Sequence, residues 1–261
     1  MSEPTTLEEM KEMVEIEPCT FMMGALDDDE EADDDEKPRH AVTLTRKYSI
    51  GRYPVTQALW ESVMENNPSG FKGSSRPVEL VSWFECVEFC NKLSEREGLE
   101  KAYLINGEEV QCTFDADGYR LPTEAEWECA GRGGESHLYS GSDNIEEVAW
   151  TSENSSWRTH GVGQKKCNGF GLFDLSGNVW EWCWDWSREY SSSHTVDPTG
   201  ARTGTYRMYR GGSWNYGARD SRLSRRDLRR PTAHNYNHGF RLCRTMSVLH
   251  RIGRFIQAKE D

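Results

Sequence analysis

Residues 119–128 read Tyr-Arg-Leu-Pro-Thr-Glu-Ala-Glu-Trp-Glu, and residues 177–182 read Gly-Asn-Val-Trp-Glu-Trp. In the first stretch, Thr123 and Glu126 have the spacing of a capping box, in which each side chain satisfies a free backbone N–H at a helix start. The helix is predicted to be short and to end at Gly131, because glycine favours helix C-caps. The second stretch opens a strand-like piece over residues 179–185, and a similar piece covers residues 205–210.

Outside these stretches, regular structure is predicted mainly in the first half of the chain. Residues 41–56 alternate and are rich in β-branched and aromatic side chains, which is typical of a strand. Thr56 begins a helix that ends near residues 66–68, and Ser82 caps another. Beyond residue 131 the periodicity fades into turns, and no linker or repeat divides the chain. We therefore expect one α+β domain, rich in loops, with short strands and few helices.

Composition indicates a globular chain with an aromatic core. Of 261 residues, 36% are hydrophobic, and ten Trp, ten Tyr and nine Phe supply apolar bulk. These values exclude a disordered chain, a collagen and a coiled coil. No apolar run approaches the roughly 20 residues of a membrane-spanning helix. The N-terminal sequence has no signal-peptide features, which leaves two locations open, the cell surface if a signal was trimmed and otherwise the cytoplasm. We expect a monomer.

Charge is concentrated in two segments of opposite sign. Nine carboxylates in residues 27–36 supply most of the net charge of −13, whereas residues 202–244 hold eleven Arg and two acids. We expect the acidic run to form a solvated loop that repels itself. The basic segment with its aromatic residues suits nucleic acid, but the total charge and the acidic run disfavour that partner.

The eight cysteines are too dilute for a disulfide scaffold. Cys86 and Cys90 are four positions apart on the helix that Ser82 caps, so they share a face. The chain has no CxxC pair, which disfavours a structural zinc site. We expect most of these thiols to be buried and inert.

Six segments in this order carry a family resemblance. They lie at residues 21–24, 52–56, 77–83, 119–128, 168–182 and 210–214, and Gly239-Phe240-Arg241 closes the set. Together they resemble the formylglycine-generating-enzyme (sulfatase-modifying factor) family over residues 18–245. The resemblance implies a C-type-lectin-like fold in that range, after an N-terminal extension over residues 1–17. Residues 246–261 form an amphipathic tail, predicted as a helix that packs on the domain or, alternatively, lies on a membrane surface.

The resemblance also implies metal sites, which this sequence matches unevenly. The family's oxidases hold copper(I) on two cysteines, and soft thiolates suit that ion. Those two positions fall at Tyr216 and Ser221, neither of which is a thiolate, so we predict no catalytic residues and no required cofactor. For a structural calcium, Asn178 and Glu181 match one family site, with the Val179 carbonyl as a third oxygen. Alternatively, Asn178 makes a turn and Glu181 pairs with an Arg.

The segment after Trp214 has an unusual composition. Residues 215–243 contain no Lys, Glu, Gln, Met or Trp, although these five types supply nearly a quarter of the chain. Some members of the family look like variable proteins of bacterial diversity-generating retroelements, in which AAC codons become NNC. Such codons exclude the same five types. The resemblance therefore implies a variable surface made of Asn215, Tyr216, Gly217, Asp220, Ser221, Arg226, Asp227, Arg229, Ala233, His234, Tyr236 and His238.

The residue types in that segment suit recognition of a macromolecule. Tyr buries a large amphipathic surface at low entropic cost, and Asn and Arg add adaptable hydrogen bonds. The arginines at 222, 225, 226, 229 and 230 either contact an acidic partner or brace the loops. The sequence predicts a non-enzymatic binding module for a protein or another macromolecular ligand. The alternative is a copper-dependent formylglycine-generating oxidase that acts on a substrate cysteine.

Overall fold

A computed structural model describes residues 3–246 as a mixture of short helices, short strands and long irregular connections. The helices are α1 (Leu7–Met10), α2 (Gln57–Met64), α3 (Trp83–Arg96), α4 (Glu124–Arg132) and α5 (Ile145–Val148). The strands are β1 (Met13–Ile16), β2 (Cys19–Met23), β3 (His40–Leu44), β4 (Tyr48–Gly51), β5 (Tyr103–Asn106), β6 (Glu109–Cys112), β7 (Tyr119–Arg120), β8 (Trp180–Trp186), β9 (Thr195–Val196), β10 (Arg207–Arg210), β11 (Arg226–Arg229), β12 (His238–Gly239) and β13 (Cys243–Thr245). The expected loop-rich α+β class is confirmed.

The three longest helices begin at the predicted caps. The Thr56 hydroxyl accepts a hydrogen bond from the N–H of Leu59, and Ser82 and Thr123 each form a complete capping box. Helix α4 continues past the predicted end at Gly131 to Arg132. Gly131 is needed for close packing, because a Cβ there would lie 2.6 Å from Leu223 Cδ2. The left-handed C-cap is Gly133, with φ of 60°.

Two four-stranded sheets form most of the framework. One has the order β1-β4-β13-β7, and the other has the order β11-β10-β8-β12. Three strands (β2-β3-β9) and a separate hairpin (β5-β6) complete the set. Because β1 pairs antiparallel with β4 and Met10 is buried in the core, the described part of residues 1–17 is part of the domain rather than an extension. The tail predicted at 246–261 lies outside the described residues from 247 onward.

Aromatic side chains fill the interior between the sheets and the helices. Trp60, Trp83, Trp127, Trp180 and Trp182 are each at most 1% exposed. Every residue of α4 is also buried, including its charged side chains. Within residues 3–246 the structure contains no helix of sufficient length and apolarity to cross a bilayer.

Candidate binding surface

The candidate surface is built on a rigid aromatic floor, formed by Trp180 and Trp182 of β8 and Tyr209 of β10. Trp182 and Tyr209 are paired across the antiparallel strands. The Tyr209 ring lies 4.6 Å from the Trp180 ring and 5.7 Å from the Trp182 ring, centroid to centroid. All three side chains are buried. Such close packing fixes the floor independently of the side chains that surround it.

Three residues of the predicted variable set surround Tyr209. Tyr216 meets the Trp180 ring edge-on with centroids 5.7 Å apart. Asp227 pairs with Tyr209 in the β10–β11 register, and the Arg229 guanidinium lies 5.4 Å from the Tyr209 ring. Arg229 Nη1 is 3.3 Å from Asp227 Oδ1. Burial and the neighbouring Asp227 carboxylate raise the pKa of Tyr209, which stays a neutral phenol. The result is a partly exposed patch that combines aromatic, acidic and basic groups.

A second part of the surface is an aromatic rim around Tyr236, whose side chain is 53% exposed. The Tyr236 carbonyl accepts a hydrogen bond of 3.0 Å from Trp214 Nε1. Phe71 packs edge-on against Trp214, and the 65% exposed Trp157 does the same. Phe71 and Trp157 come from outside the variable segment. Sequence reasoning missed them because nothing in their local pattern marks them as surface residues.

The remaining predicted surface residues occupy the edges of this patch. The exposed His234 has its Nε2 2.7 Å from a carboxylate oxygen of Glu85 on α3. Asn215 Oδ1 accepts hydrogen bonds from Ser213 Oγ and Asn237 Nδ2. Gly217, Asp220 and Ala233 are half-buried. These positions keep part of their surface exposed.

The prediction of a surface position is wrong for Ser221, Arg226 and His238, which the structure places in the interior. Ser221 is fully buried, and its carbonyl accepts a hydrogen bond of 2.8 Å from Ser176 Oγ. His238 is 2% exposed and packs against the rings of Trp182 and Tyr209, with centroid distances of 5.3 and 5.1 Å. Burial, followed by the nearby charge of Arg229, lowers the pKa of His238 to about 3. It is therefore a neutral part of the floor.

Arg226 is buried, and its guanidinium holds the backbone under the surface through contacts with scaffold residues. Its Nε and Nη2 donate to the two carboxylate oxygens of Glu124 on α4, at 2.7 and 2.8 Å. Its guanidinium also stacks on the Tyr190 ring at 3.8 Å and donates to the Asp35 carbonyl. This bidentate geometry occupies both oxygens of the Glu124 carboxylate, and Arg210 Nε lies 3.5 Å from the same Oε1.

The prediction that the acidic run is a solvated loop is wrong for three of its nine carboxylates, those of Asp29, Asp33 and Glu36, which form ion pairs with arginines. The other six carboxylates are exposed. The buried Arg222 donates through Nη1 and Nη2 to the two oxygens of Glu36, each at 2.8 Å. Arg222 also pairs with Asp29 at 2.5 Å, and Arg225 and Arg219 pair with Asp33. We call these contacts between residues 29–36 and 219–226 the arginine clamp. These pairs join opposite charges that are far apart in the chain, which local sequence does not reveal, and they offset part of the expected repulsion.

The arginines of this segment fall into two groups, those that bind scaffold groups and those with exposed side chains. Arg222, Arg225 and Arg226 are bound to carboxylates or carbonyls of the scaffold. Arg229 keeps 40% of its side chain exposed, and Arg230 is exposed. The bracing role is therefore confirmed for Arg222, Arg225 and Arg226, whereas contact of Arg229 and Arg230 with an acidic partner stays a prediction.

The environment of the Asp185 carboxyl predicts that the stability of the fold depends on pH. Its Oδ2 accepts a hydrogen bond of 2.9 Å from the N–H of Glu124 at the start of α4. Burial, followed by the nearby Glu124 carboxylate, raises the pKa of Asp185 to about 8 from an ordinary value of 3.8. A raised carboxyl pKa stabilises the fold fully below about pH 4, and that contribution is lost as the pH rises through 8.

Asp185→Asn is therefore expected to gain stability relative to the wild type as the pH rises. Asn keeps the acceptor and carries no charge. Between pH 5 and 8, its free energy of unfolding should rise relative to the wild-type value by on the order of 2–4 kcal/mol. Urea unfolding at both pH values measures this difference. An Asp185→Asn difference that is constant over this range would show that Asp185 is already ionised at pH 5.

The residues implied for calcium do not fit that ion in this structure. Both oxygens of Glu181 accept hydrogen bonds from Arg241, at 2.7 Å each, and Oε2 also accepts one from Trp127 Nε1 at 2.7 Å. Asn178 Oδ1 accepts from the N–H of His160, and Val179 is fully buried. A calcium site needs free oxygen ligands around a common point. The geometry instead matches the alternative, in which Glu181 pairs with an arginine.

Comparison with known proteins places this geometry in a family. The sequence profile of the sulfatase-modifying factor enzyme 1-like domain matches residues 1–246. The solved structure of Treponema denticola variable protein 1 is similar over 90% of this chain and 95% of its own, with a TM-score of 0.83 and 34% identity. This similarity confirms the expected fold.

Two curated relatives carry different names. Chaperone protein LppX of Paenibacillus barcinonensis is 41% identical over 208 residues, which are 66% of this chain and 71% of its own. The formylglycine-generating enzyme of Streptomyces coelicolor is 40% identical over 146 residues, 48% of this chain and 46% of its own. This chain spans only 37% of the length of serine/threonine-protein kinase pkn1 of Chlamydia caviae and 40% of the length of pkn1 of Chlamydia pneumoniae. The match over residues 1–246 means that this chain belongs to the sulfatase-modifying factor enzyme 1-like family.

Proposed function

We propose that this protein is a non-enzymatic display protein whose segment after Trp214, diversified by a retroelement, binds a protein or another macromolecular ligand. One observation carries the proposal. The exposed members of the segment surround a buried aromatic floor, while the buried arginines of the same segment brace the backbone beneath them. This separation lets the exposed side chains change without a change in the fold.

The surface has the properties that a protein-binding site needs. Tyr216, Tyr236 and the neighbouring Trp157 and Phe71 are large side chains with few rotatable bonds. Asp227, Arg229 and His234 add charged or titratable groups at the same face. Aromatic anchors with adaptable polar neighbours are typical of protein-binding loops. The similarity to Treponema denticola variable protein 1 supports the same function here.

Two libraries of equal codon diversity test the proposal. The first places NNC codons at the exposed or half-buried Tyr216, Asp227 and Tyr236. The second places them at the buried Ser221, Arg226 and His238. We expect most members of the first library to fold on the yeast surface. Most members of the second should be lost, because Arg226 substitutions remove the bidentate partner of the buried Glu124 and leave it only the 3.5 Å pair with Arg210.

Extending the first library to Asn215, Arg229 and His234 allows a binding selection. With hen egg-white lysozyme as the probe protein, we expect enrichment of clones whose binding disappears when Tyr216 and Tyr236 are both replaced by Ser. A first library that folds no better than the second would contradict the proposal. The flanking DNA is a further check, because a retroelement requires a near-copy of the coding segment with AAC codons at the variable positions.

The oxidase alternative is supported by the similarity to the Streptomyces coelicolor enzyme, but the residues do not favour it. The positions implied for copper are Tyr216 and Ser221, and Ser221 is buried. Residues 211–242 contain no cysteine, and the next one, Cys243, is buried in β13. Incubation with copper(I), oxygen and a sulfatase-type cysteine peptide should give no formylglycine beyond a protein-free control. Catalytic conversion of the peptide cysteine to formylglycine would establish the oxidase instead.

A further inference from the structure

The sulfur atoms of Cys19 and Cys129 lie 3.0 Å apart, although the residues are 110 positions apart in the chain. Cys19 begins β2, and Cys129 is in the second half of α4. A disulfide has a sulfur–sulfur distance of about 2.05 Å. Formation of the bond therefore requires the two sulfur atoms to approach by only about 1 Å, which small side-chain rotations can supply.

The two thiols differ in access and acidity in the way that disulfide formation needs. Cys19 is half-buried, whereas Cys129 is 6% exposed. The hydrogen bond from the Cys129 thiol lowers the pKa of Cys19, so Cys19 more readily supplies a thiolate. The same hydrogen bond, followed by burial, raises the pKa of Cys129, so Cys19 is the thiol that reacts first. Cys86 and Cys90 are fully buried, and burial raises the pKa of both thiols.

We propose that Cys19 and Cys129 form a reversible disulfide that ties β2 to α4. With glutathione disulfide as oxidant, the Cys19 thiolate attacks one glutathione sulfur and releases the other as a thiolate. The Cys129 thiol then loses its proton to water, and its sulfur attacks Cys19 Sγ and releases the second glutathione. Two protein thiols are oxidised by two electrons, and one glutathione disulfide is reduced to two glutathione molecules.

The cross-link would join two elements that lead to or carry carboxylates paired with arginines. Strand β2 leads into the acidic segment, where Glu36 holds Arg222. Helix α4 carries Glu124 and Glu128, which hold Arg226 and Arg210. A covalent tie between these two elements restrains both carboxylate sources at once. It also closes a long loop, and longer loops give larger stabilisation in the chain-entropy treatment.

Oxidation of the 261-residue chain tests the disulfide. The reduced protein is equilibrated with glutathione disulfide, blocked with iodoacetamide and digested without reduction. We expect a peptide in which Cys19 and Cys129 are joined, and a Tm higher than that of the dithiothreitol-treated protein by roughly 10 °C. Cys19→Ser should abolish this rise, whereas the control Cys167→Ser, at another half-buried cysteine, should retain it.

Two outcomes would overturn the proposal. One is a peptide map in which Cys19 is found only as a glutathione adduct while Cys129 is alkylated. The other is an oxidation-dependent Tm rise that persists in Cys19→Ser. The peptide map is made on the wild-type chain, so it decides the question even if the variant does not fold.

Discussion

Glu36→Gln is expected to lower the free energy of unfolding by about 3 kcal/mol. Glu36 is fully buried and accepts hydrogen bonds from Arg222 and from Ser224 Oγ. Gln retains the shape but leaves the buried Arg222 guanidinium with the Asp29 carboxylate alone. The loss corresponds to a Tm decrease on the order of 10 °C for a domain of this size. Urea unfolding followed by tryptophan fluorescence measures it.

Glu30→Gln is the matched control, because it removes the same charge from the same acidic segment. Glu30 is exposed, so we expect a change within about 0.5 kcal/mol. Equal unfolding midpoints for the two variants would contradict the clamp. They would support the solvated acidic loop that the charge pattern alone predicts.

Glu181→Gln is expected to cost about 3–5 kcal/mol, because it leaves Arg241 as a buried charge without its carboxylate. Both side chains are fully buried and joined by two hydrogen bonds of 2.7 Å. The control is Glu88→Gln, which breaks an exposed pair with Lys92 on α3 and should change stability by less than about 1 kcal/mol. The free energy of unfolding is measured in urea with chelator present.

Calcium provides the contrasting measurement at Glu181. A ligand that binds only the folded state raises Tm with its concentration. Since Glu181 is committed to Arg241, the wild-type Tm is expected to be the same in calcium and in chelator. A calcium-dependent rise in the wild type that disappears in Glu181→Gln would show that the carboxylate binds the ion and that the arginine pair yields to it.

The display proposal depends on how one segment divides its side chains between two roles. Arg226 and Arg229 are both compatible with an NNC codon, yet Arg226 is buried against Glu124 and Arg229 lies half-exposed beside Tyr209. Composition cannot separate the two, since the residue types are identical. The contacts of each side chain in the folded protein decide which arginine can be replaced without loss of stability.

Local chemistry determined much of this protein from the sequence alone. The caps at Thr56, Ser82 and Thr123 fixed three helix starts, because each cap depends on residues within one turn. The motifs and their order along the chain were sufficient to identify the family. The exposure of Tyr236 and His234 also agreed with the composition of their segment.

Tertiary structure decided what depends on distant partners. Glu36 and Arg222 are far apart in the chain, so the acidic run became a clamp only when folding brought it to the arginines. The same holds for the burial of His238 on Trp182 and for the contact between Cys19 and Cys129. The energies of ion pairing and burial depend on the distance between two groups in space. The local sequence around each group does not determine that distance.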